Sequence, residues 1–422
     1  MKKIFCIFLI SILLCCDNSL DINEEWRDVP VIYGILNPGT EFDNNYDHYV
    51  RIQKSFLGVE PANSYVGVYD SIYYNTDDLA VWLEFVEPSM YLNVESGETQ
   101  GPFPLELVTI NESLQNELSK NEGLFYSDNH YLYKIPNIED EDGISIQNLT
   151  NCFSNNQIVR INVLNYNTGD TAFAETNIVE PIDILRPKPS GQTSVFQFGS
   201  GVNQYIEVKN SENAKMYSIT LRFNYWEQHV DDYLLDVSDN GIIDRSGAVL
   251  KYIELSLGNQ EPTSLVTNLQ VLISPLQFLE FLATQIKGDD YYRYPAGTYY
   301  QGTGAGMYSG LYHQAIDLRI SAVNAELYTY INANAPNYGF NQERPEYNNI
   351  TNGIGHWSSR SLLKLDSLKL DNSSMNLVTS ESLTSGLNFA CYAEPPYGDT
   401  NNIGVLDVDG FYLQFGYDCL ND

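Results

Sequence analysis

The strongest constraint on the fold is a strict alternation of apolar and polar residues in the middle of the chain. Over residues 217–224, every second residue is apolar and the residues between them are polar. A period of two is the spacing of a β-strand with one buried face. The segment therefore predicts a strand, and a strand of this kind needs a sheet and a second layer to cover its apolar face.

Shorter segments with the same pattern precede it. They cover residues 29–36, 49–56, 79–86, 131–135, 159–164 and 172–179. A turn-forming segment at residues 165–170 predicts a hairpin between the last two strands. Strands that follow one another without long helices predict an antiparallel sandwich of the immunoglobulin-like or transthyretin-like kind.

A proline-rich segment divides the chain. Pro181, Pro187 and Pro189 lie within residues 181–191, and this density predicts a stiff linker. We expect an N-terminal β-sandwich domain over residues 29–180 and a C-terminal β-rich domain over residues 192–422.

Two short helices are predicted in the C-terminal half. Ser274 is a good N-cap, and Pro275 suits the first helical position, so a helix is expected near residues 275–287. A second is expected near residues 323–334, where Leu327, Tyr330 and Ile331 share one side. The predicted fold class is therefore mostly β with two short helices.

The N-terminus has the form of a bacterial export signal. Lys2 and Lys3 precede about a dozen apolar residues, a run too short to span a bilayer. The end of this run, Leu13-Leu14-Cys15-Cys16, resembles a lipobox, which implies a signal peptide over residues 1–15 and acylation of Cys16. Residues 16–28 are polar and acidic, as expected of a tether. The alternative is a secreted protein cleaved elsewhere, in which Cys16 is incidental.

Residues 311–358 carry a resemblance to a known family. A strand, a tyrosine-rich helix and an N-I-x-N-G-x-G turn, here Asn349 to Gly355, lead into an aromatic strand. This arrangement resembles a widespread uncharacterised family of Bacteroidota outer-membrane lipoproteins, often encoded beside TonB-dependent transporters. The resemblance implies an outer-membrane location, on a face that it leaves open, and a transporter or other barrel as partner. It implies no reaction.

Composition excludes one class of partner. The chain has 55 acidic and 22 basic residues, a formal net charge of −33. Affinity for nucleic acid depends on basic residues that displace counterions from phosphates. Nucleic-acid binding is therefore not expected, and no pattern in the sequence predicts a cofactor.

The best candidate for binding is a segment rich in tyrosine and glycine. Its tyrosines are Tyr291, Tyr292, Tyr294, Tyr299, Tyr300 and Tyr308. Tyrosine offers a rigid ring and a hydroxyl at low entropic cost, and binding loops therefore use it often. We expect the segment to contact a sugar, a peptide or a partner protein. The alternative is that these rings pack against the sheet.

A second segment resembles the start of a calcium loop. Oxygen-bearing residues stand at alternate positions in Asp236, Ser238, Asn240 and Asp244. The twelfth position, which supplies a bidentate acid in such loops, is Gly247. The same residues suit a hairpin turn, which we favour, and the calcium site is a weak candidate.

Three cysteines lie beyond the predicted leader and its lipidated Cys16. Cys391 and Cys419 are both in the last strand-rich segment and are the candidate disulfide pair, with Cys152 apart from them. Their spacing does not suit a metal site. No nucleophile elbow or zinc-binding histidine motif is present, so no catalytic residue is predicted.

These observations predict a lipid-anchored outer-membrane accessory protein that binds a partner or ligand through loops and is not an enzyme. Two alternatives remain open. One is a hydrolase acting on glycans or peptides at the cell envelope, which requires a cleft with perturbed carboxylates. The other is a structural or adhesion protein of the cell surface.

Overall fold

The structure is a computed structural model of the chain. It describes residues 28–38, 48–55, 68–86, 100–111, 129–139, 145–148, 157–188, 195–198, 201–229, 249–262, 267–288, 290–296, 315–335, 346–393, 405–406 and 412–415. All statements below concern these residues.

The first half consists of ten strands and one helical turn. The strands are β1 (Pro30–Leu36), β2 (Tyr49–Lys54), β3 (Leu79–Phe85), β4 (Gln100–Pro104), β5 (Glu106–Asn111), β6 (Asn129–Lys134), β7 (Asn137–Glu139), β8 (Ser145–Asn148), β9 (Ile158–Asn165) and β10 (Thr171–Asn177). The helical turn is α1 (Tyr69–Ile72).

The second half adds twelve strands and three helices within the described residues. The strands are β11 (Ile184–Arg186), β12 (Val195–Phe196), β13 (Gln204–Lys209), β14 (Met216–His229), β15 (Val249–Gln260), β16 (Asn268–Ile273), β17 (Tyr291–Pro295), β18 (Ile316–Val323), β19 (Ile354–Leu370), β20 (Ala390–Ala393), β21 (Val405–Leu406) and β22 (Tyr412–Phe415). The helices are α2 (Pro275–Gln285), α3 (Ala325–Asn334) and α4 (Asn372–Ser380), and a 3-10 turn covers Ser385–Leu387.

One ten-stranded sheet runs through both halves of the chain. Its main order is β15-β14-β18-β19-β1-β2-β6-β5, with β12 beside β19 and β17 beside β14. A four-stranded sheet has the order β10-β9-β3-β4, and smaller sheets are β11-β13-β16, β20-β22-β21 and β7-β8. The predicted mostly β class is confirmed.

In the N-terminal half, two sheets pack face to face. The strands β1 and β2 turn Ile32, Leu36, Val50 and Ile52 inward, where they meet the inner faces of β3, β9 and β10. The alternating burial of these strands matches the period of two in their sequences. Trp357, from the distant β19, completes this core.

The C-terminal half has its own core. The buried faces of β14, β18 and β19 meet the sheet β11-β13-β16 and the helix α2. Phe278 of α2 stacks on Phe198 with ring centroids 4.6 Å apart and contacts Phe223 edge to face at 5.7 Å. The predicted strand at residues 217–224 is therefore the central part of a longer strand, β14.

The strand β19 belongs to both cores. Its first part pairs in parallel with β1, and its later part pairs in antiparallel with β18. Where the two parts meet, the Ser359 hydroxyl accepts from the Val179 amide at 3.0 Å and donates to the Asn177 carbonyl at 2.6 Å. The two cores divide near this point, since Ile178 lies in the first and Val179 in the second.

The segment predicted as a linker contributes to the fold. Within residues 181–191, β11 pairs with β13, and Ile182 and Ile184 are buried in the C-terminal core. The physical reason is the alternation of two isoleucines between the prolines, which gives the segment a face to bury. The division into two domains on either side of it stays a prediction.

The two predicted helices are present as α2 and α3. The side chains of Ser274 and Asn324 cap them by accepting from the amides of Gln277 and Leu327 at 3.1 Å. The helix α4 was not predicted, because its serine- and asparagine-rich sequence has low intrinsic helix propensity. Its N-cap, Asp371, accepts from the Ser374 amide at 3.0 Å.

The turn before β19 has a structural role. The Asn349 side chain holds the Trp357 backbone at both ends, accepting from its amide at 2.9 Å and donating to its carbonyl at 2.8 Å. Gly355 has φ +117°, and a Cβ atom there would lie 2.0 Å from the Ile32 carbonyl oxygen. The asparagines and glycines of the motif thus place Trp357 in the N-terminal core.

Candidate functional site

The described residues on either side of residues 297–314, in the tyrosine- and glycine-rich segment, meet at a single residue, Asn224. The Ala296 amide donates to the Asn224 carbonyl at 3.0 Å, and the Asn224 amide donates to the Ala315 carbonyl at 2.8 Å. The two ends of residues 297–314 are therefore held side by side on the backbone of β14. We call this point the loop base.

Residues 297–314 separate two strands, β17 and β18, that lie end to end beside β14. Along β14, residues 216–223 pair with β18, and residues 225–229 pair with β17. Both neighbours are antiparallel to β14, and Pro295 and Ile316 face Tyr225 and Phe223. The strands β17 and β18 are thus two pieces of one continuous line, and residues 297–314 lie between them in the sequence.

Only some of the predicted binding tyrosines lie in the part of the chain that the structure describes. Tyr291 is half-buried, and its ring contacts His229 edge to face with centroids 5.2 Å apart. Tyr292 and Tyr294 lie in β17 opposite Gln228 and Trp226, where the structure describes their backbone only. Tyr299, Tyr300 and Tyr308 lie outside the described residues.

Arg293 fixes the strand β17, and it was missed in the sequence. Its side chain is fully buried, and its Nε donates to Glu227 Oε2 at 2.8 Å. The two Nη atoms donate to three backbone carbonyls, those of Leu387, Lys287 and Gly288, at 2.8 to 2.9 Å. One guanidinium therefore joins β14, β17, the end of α2 and the 3-10 turn.

The partner of Arg293 is itself shared between two cations. Glu227 is 7% exposed, and its Oε1 lies 3.0 Å from the half-exposed Nζ of Lys251. Burial raises the pKa of the neighbouring Tyr225, and the charge of Glu227 raises it further. An arginine inside a run of tyrosines was the only sequence feature that pointed to this arrangement.

A buried carboxyl group lies beside the loop base. The Asn224 Nδ2 donates to Asp317 Oδ2 at 2.9 Å. Burial raises the pKa of Asp317; the hydrogen bond from Asn224 partly offsets this, and the negative charge of Asp366 raises it further. Asp317 is 8% exposed, so it holds the base together instead of facing a cleft.

The weak calcium candidate follows β14 in the sequence. Asp236, Ser238, Asn240 and Asp244 lie outside the described residues, in the connection between His229 and Val249. Among the residues that the structure describes, no group of three or more histidine, cysteine or acidic side chains is placed to hold a metal ion.

Other predicted sites lie partly or wholly outside the described residues. Cys16 and the predicted leader are outside them. Cys391 lies in β20 opposite Gln414, and Cys419 is outside, so the disulfide stays a prediction.

The predicted tether enters the fold at Asp28. The Asp28 carboxylate accepts from the Tyr74 hydroxyl at 2.7 Å and from the Asn165 amide group at 2.8 Å. Burial raises the pKa of Tyr74, and its hydrogen bond to Asp28 raises it further, so the phenol stays protonated and keeps donating.

The strand β19 separates this entry point from the loop base. Near its start Ile354 pairs with Val31 of β1, and near its end Leu368 pairs with Ile316 of β18. At about 3.3 Å per residue, this part of β19 extends for about 45 Å. The tether and the loop base therefore lie toward opposite ends of one strand.

Comparisons with known proteins do not assign this chain to a family. No protein-family model matches the chain, and no curated protein matches it. A search of solved structures returns an enterococcal surface protein, partial N-terminal region, at 8% identity and a TM-score of 0.15, covering 61% of this chain and 81% of that one. A TM-score this low supports no conclusion about fold or function. In the described part of the chain, none of the helices is long and apolar enough to cross a membrane.

Proposed function

We propose that this chain is a lipid-anchored accessory protein of the outer membrane. It recognises a partner membrane protein, such as a TonB-dependent transporter or another barrel, or a ligand, and it does so through loops without catalysis. The anchor in this proposal is Cys16, and the contact surface is the segment of residues 297–314 with its base.

The observation that carries the proposal is the position of the two ends of β19. Asp28, the last residue of the predicted tether, lies at one end, and the loop base lies at the other. A body held at Asp28 presents the loop base, where residues 297–314 begin and end, away from its attachment. That arrangement suits a protein that recognises its partner at a distance from its lipid anchor.

The rigidity of the loop base supports the same proposal. Arg293, Glu227 and Asn224 fix both strands from which the segment emerges. Binding costs less entropy when the roots of a loop are already ordered. The tyrosines of the segment provide a large contact area, and little conformational entropy is lost when each of them is ordered on binding.

The hydrolase alternative requires a cleft with perturbed carboxylates. Beside the loop base, Asp317 is a carboxyl group with a raised pKa, and the charge of Asp366 contributes to that shift. Asp317 is buried and hydrogen-bonded within the sheet, which suits a structural group better than a catalytic acid. We therefore favour recognition over hydrolysis.

The test is purification from gently solubilised outer membranes, with co-purifying proteins identified by mass spectrometry. We expect a barrel in stoichiometric amount with the wild-type chain and its loss with the double variant Tyr299→Ser/Tyr300→Ser. Tyr166→Ser is the matched control, because Tyr166 is 61% exposed in a hairpin turn far from the loop base.

Two results would contradict the proposal. One is equal recovery of the partner by the double variant with an intact fold. The other is a monomer that carries hydrolase activity. A Cys16→Ser variant that stays in the membrane fraction would refute the proposed anchor separately.

A further inference from the structure

A second group of polar side chains lies on the outer face of the sheet, remote from the loop base. Tyr33 of β1 pairs with His356 of β19 on one side and with Arg51 of β2 on the other. Ser358 follows two residues after His356 and faces the same way. The helix α3 covers this face through Leu327, Tyr330 and Ile331.

His356 is buried here without a hydrogen-bond partner. It is 4% exposed, stacks on Tyr330 with centroids 4.1 Å apart and contacts the Tyr33 ring edge to face at 5.6 Å. Neither ring nitrogen is bonded to any described residue. Buried polar groups in folded proteins nearly always have a partner, so the two ring nitrogens of His356 are available to a ligand that reaches this face.

Ser358 and Arg51 also carry buried polar atoms that have no hydrogen-bond partner among the described residues. Ser358 is fully buried, and its hydroxyl has no partner among the described residues. The Arg51 guanidinium lies 4.7 Å over the Tyr33 ring, and its buried Nε is likewise unbonded within the described residues. Three hydrogen-bond donors on neighbouring strands thus have no acceptor.

Within the described residues, the charge of Arg51 has no carboxylate partner. In a chain with 55 acidic and 22 basic residues, an arginine is expected to find a carboxylate. Arg160, Arg186, Arg222, Arg293 and Arg319 each do so, whereas among the described residues no carboxylate oxygen lies within 4.0 Å of Arg51 or of the exposed Arg360. A ligand suited to this face therefore has acceptor oxygens and a negative charge.

We propose that this face, between α3 and the strands β1, β2 and β19, binds a small monocarboxylate. Arg51 supplies the charge and a donor at the half-buried edge, and His356 and Ser358 supply hydrogen bonds inside. A singly charged anion matches the one guanidinium. Inorganic phosphate, which carries between one and two charges at neutral pH, would leave net negative charge buried.

The helix α3 also carries an acidic residue. Glu326 lies one helical turn before Tyr330 on α3, and its Oε2 is buried and unbonded within the described part of the chain. Burial raises the pKa of Glu326, which favours its neutral form. It therefore repels a bound carboxylate less than an exposed glutamate would.

The test is a titration of the full mature chain with sodium acetate, with sodium chloride at matched ionic strength as the reference. Histidines labelled with carbon-13 at Cε1 report the site by NMR. We expect a saturable shift of the His356 resonance and a rise in Tm with acetate only, since ligands that bind the native state stabilise it.

Variants separate this site from general salt effects. Arg51→Gln and His356→Phe are expected to weaken acetate binding at least tenfold; the phenylalanine can keep the stacking on Tyr330. The matched control is Arg222→Gln, because Arg222 also lies over a tyrosine, 3.9 Å from the Tyr252 centroid, but is paired with Glu254.

Three outcomes would overturn the inference. The first is an equal response of the wild-type chain to acetate and chloride, which would mean that a carboxylate of the chain itself fills the face. The second is unchanged acetate binding in Arg51→Gln. The third is tighter binding of inorganic phosphate than of acetate, which would refute the assignment of a singly charged ligand.

Discussion

The indole ring of Trp357 occupies the space that a side chain at Gly34 would need. A Cβ atom at position 34 would lie 2.4 Å from Cζ3 of Trp357, well inside van der Waals contact. The Trp357 Nε1 also donates to the Val159 carbonyl of the opposite sheet at 3.0 Å. A single side chain from β19 therefore fixes the distance between the two layers of the N-terminal sandwich.

Gly34→Ala should lower the free energy of unfolding by about 3 kcal/mol, because the added methyl overpacks a closed core. Urea unfolding followed by tryptophan fluorescence measures this. Gly386→Ala is the control, since a Cβ atom at Gly386 meets no atom within 4 Å. Equal stability of the two variants would show that Trp357 moves without cost.

Arg293→Met should destabilise the fold by about 3–5 kcal/mol, because Glu227 and three carbonyls lose a buried partner. The exposed pair of Arg160 and Glu175 gives the comparison, and Arg160→Met should cost about 1 kcal/mol or less. Adding Glu227→Gln to Arg293→Met should recover part of the loss. Chemical denaturation measures all three, and a small effect of Arg293→Met alone would contradict the role given to it.

His356 should make stability fall as the pH is lowered. Burial lowers the pKa of His356, the charge of Arg51 adds to this effect, and together they bring the pKa to about 4. The unfolded chain binds the proton near pH 6.5 and the folded chain only near pH 4, so stability is lost as the pH falls through this window. The expected loss between pH 7 and pH 5 is about 2 kcal/mol.

His356→Phe should flatten this part of the profile, measured by denaturation in chloride buffers at both pH values. His229→Phe is the control, because His229 is only half-buried. A wild-type slope that persists in His356→Phe would assign the effect to another group.

Asp317→Asn should raise stability at neutral pH. Burial raises the pKa of Asp317, so the ionised form costs stability once the pH passes the folded-state pKa. Asparagine is neutral and still offers an oxygen to the Asn224 Nδ2. The gain should disappear in acid, where Asp317 is protonated, and a variant less stable at pH 7 would show that the charge is needed.

A fragment of residues 192–422 should not fold cooperatively. It lacks β1, which pairs with β19 from Ile354 to Ser359, and it leaves Trp357 without its core. Ser359 and Ser361 would also lose the amides of Val179 and Ile182. Circular dichroism and thermal melting of the fragment and of residues 29–422 make the comparison. A sharp transition in the fragment would instead establish an independent domain.

Local patterns were sufficient to predict several elements of this fold, although not α4. The alternation at residues 217–224 and the caps at Ser274 and Asn324 depend on near neighbours, and the corresponding strand and helices are present. The parallel pairing of β1 with β19 joins residues more than 300 positions apart, and no local pattern indicates it.

The same reasoning explains what was missed at the candidate site. Arg293 works through Glu227, Lys287 and Leu387, which come from three other elements. Asn224 looks like an ordinary polar residue on the exposed face of a strand until the two ends of the insertion meet at its backbone. Such roles depend on the assembled sheet, whereas a cluster of tyrosines is visible in the sequence itself.

The meeting of Ala296 and Ala315 at Asn224 has an evolutionary consequence. Because the insertion starts and ends at one point of the sheet, its length and composition can change while the pairing of β14 with β17 and β18 keeps its register. Related chains with the same scaffold can therefore differ in this segment without a change in the sheet.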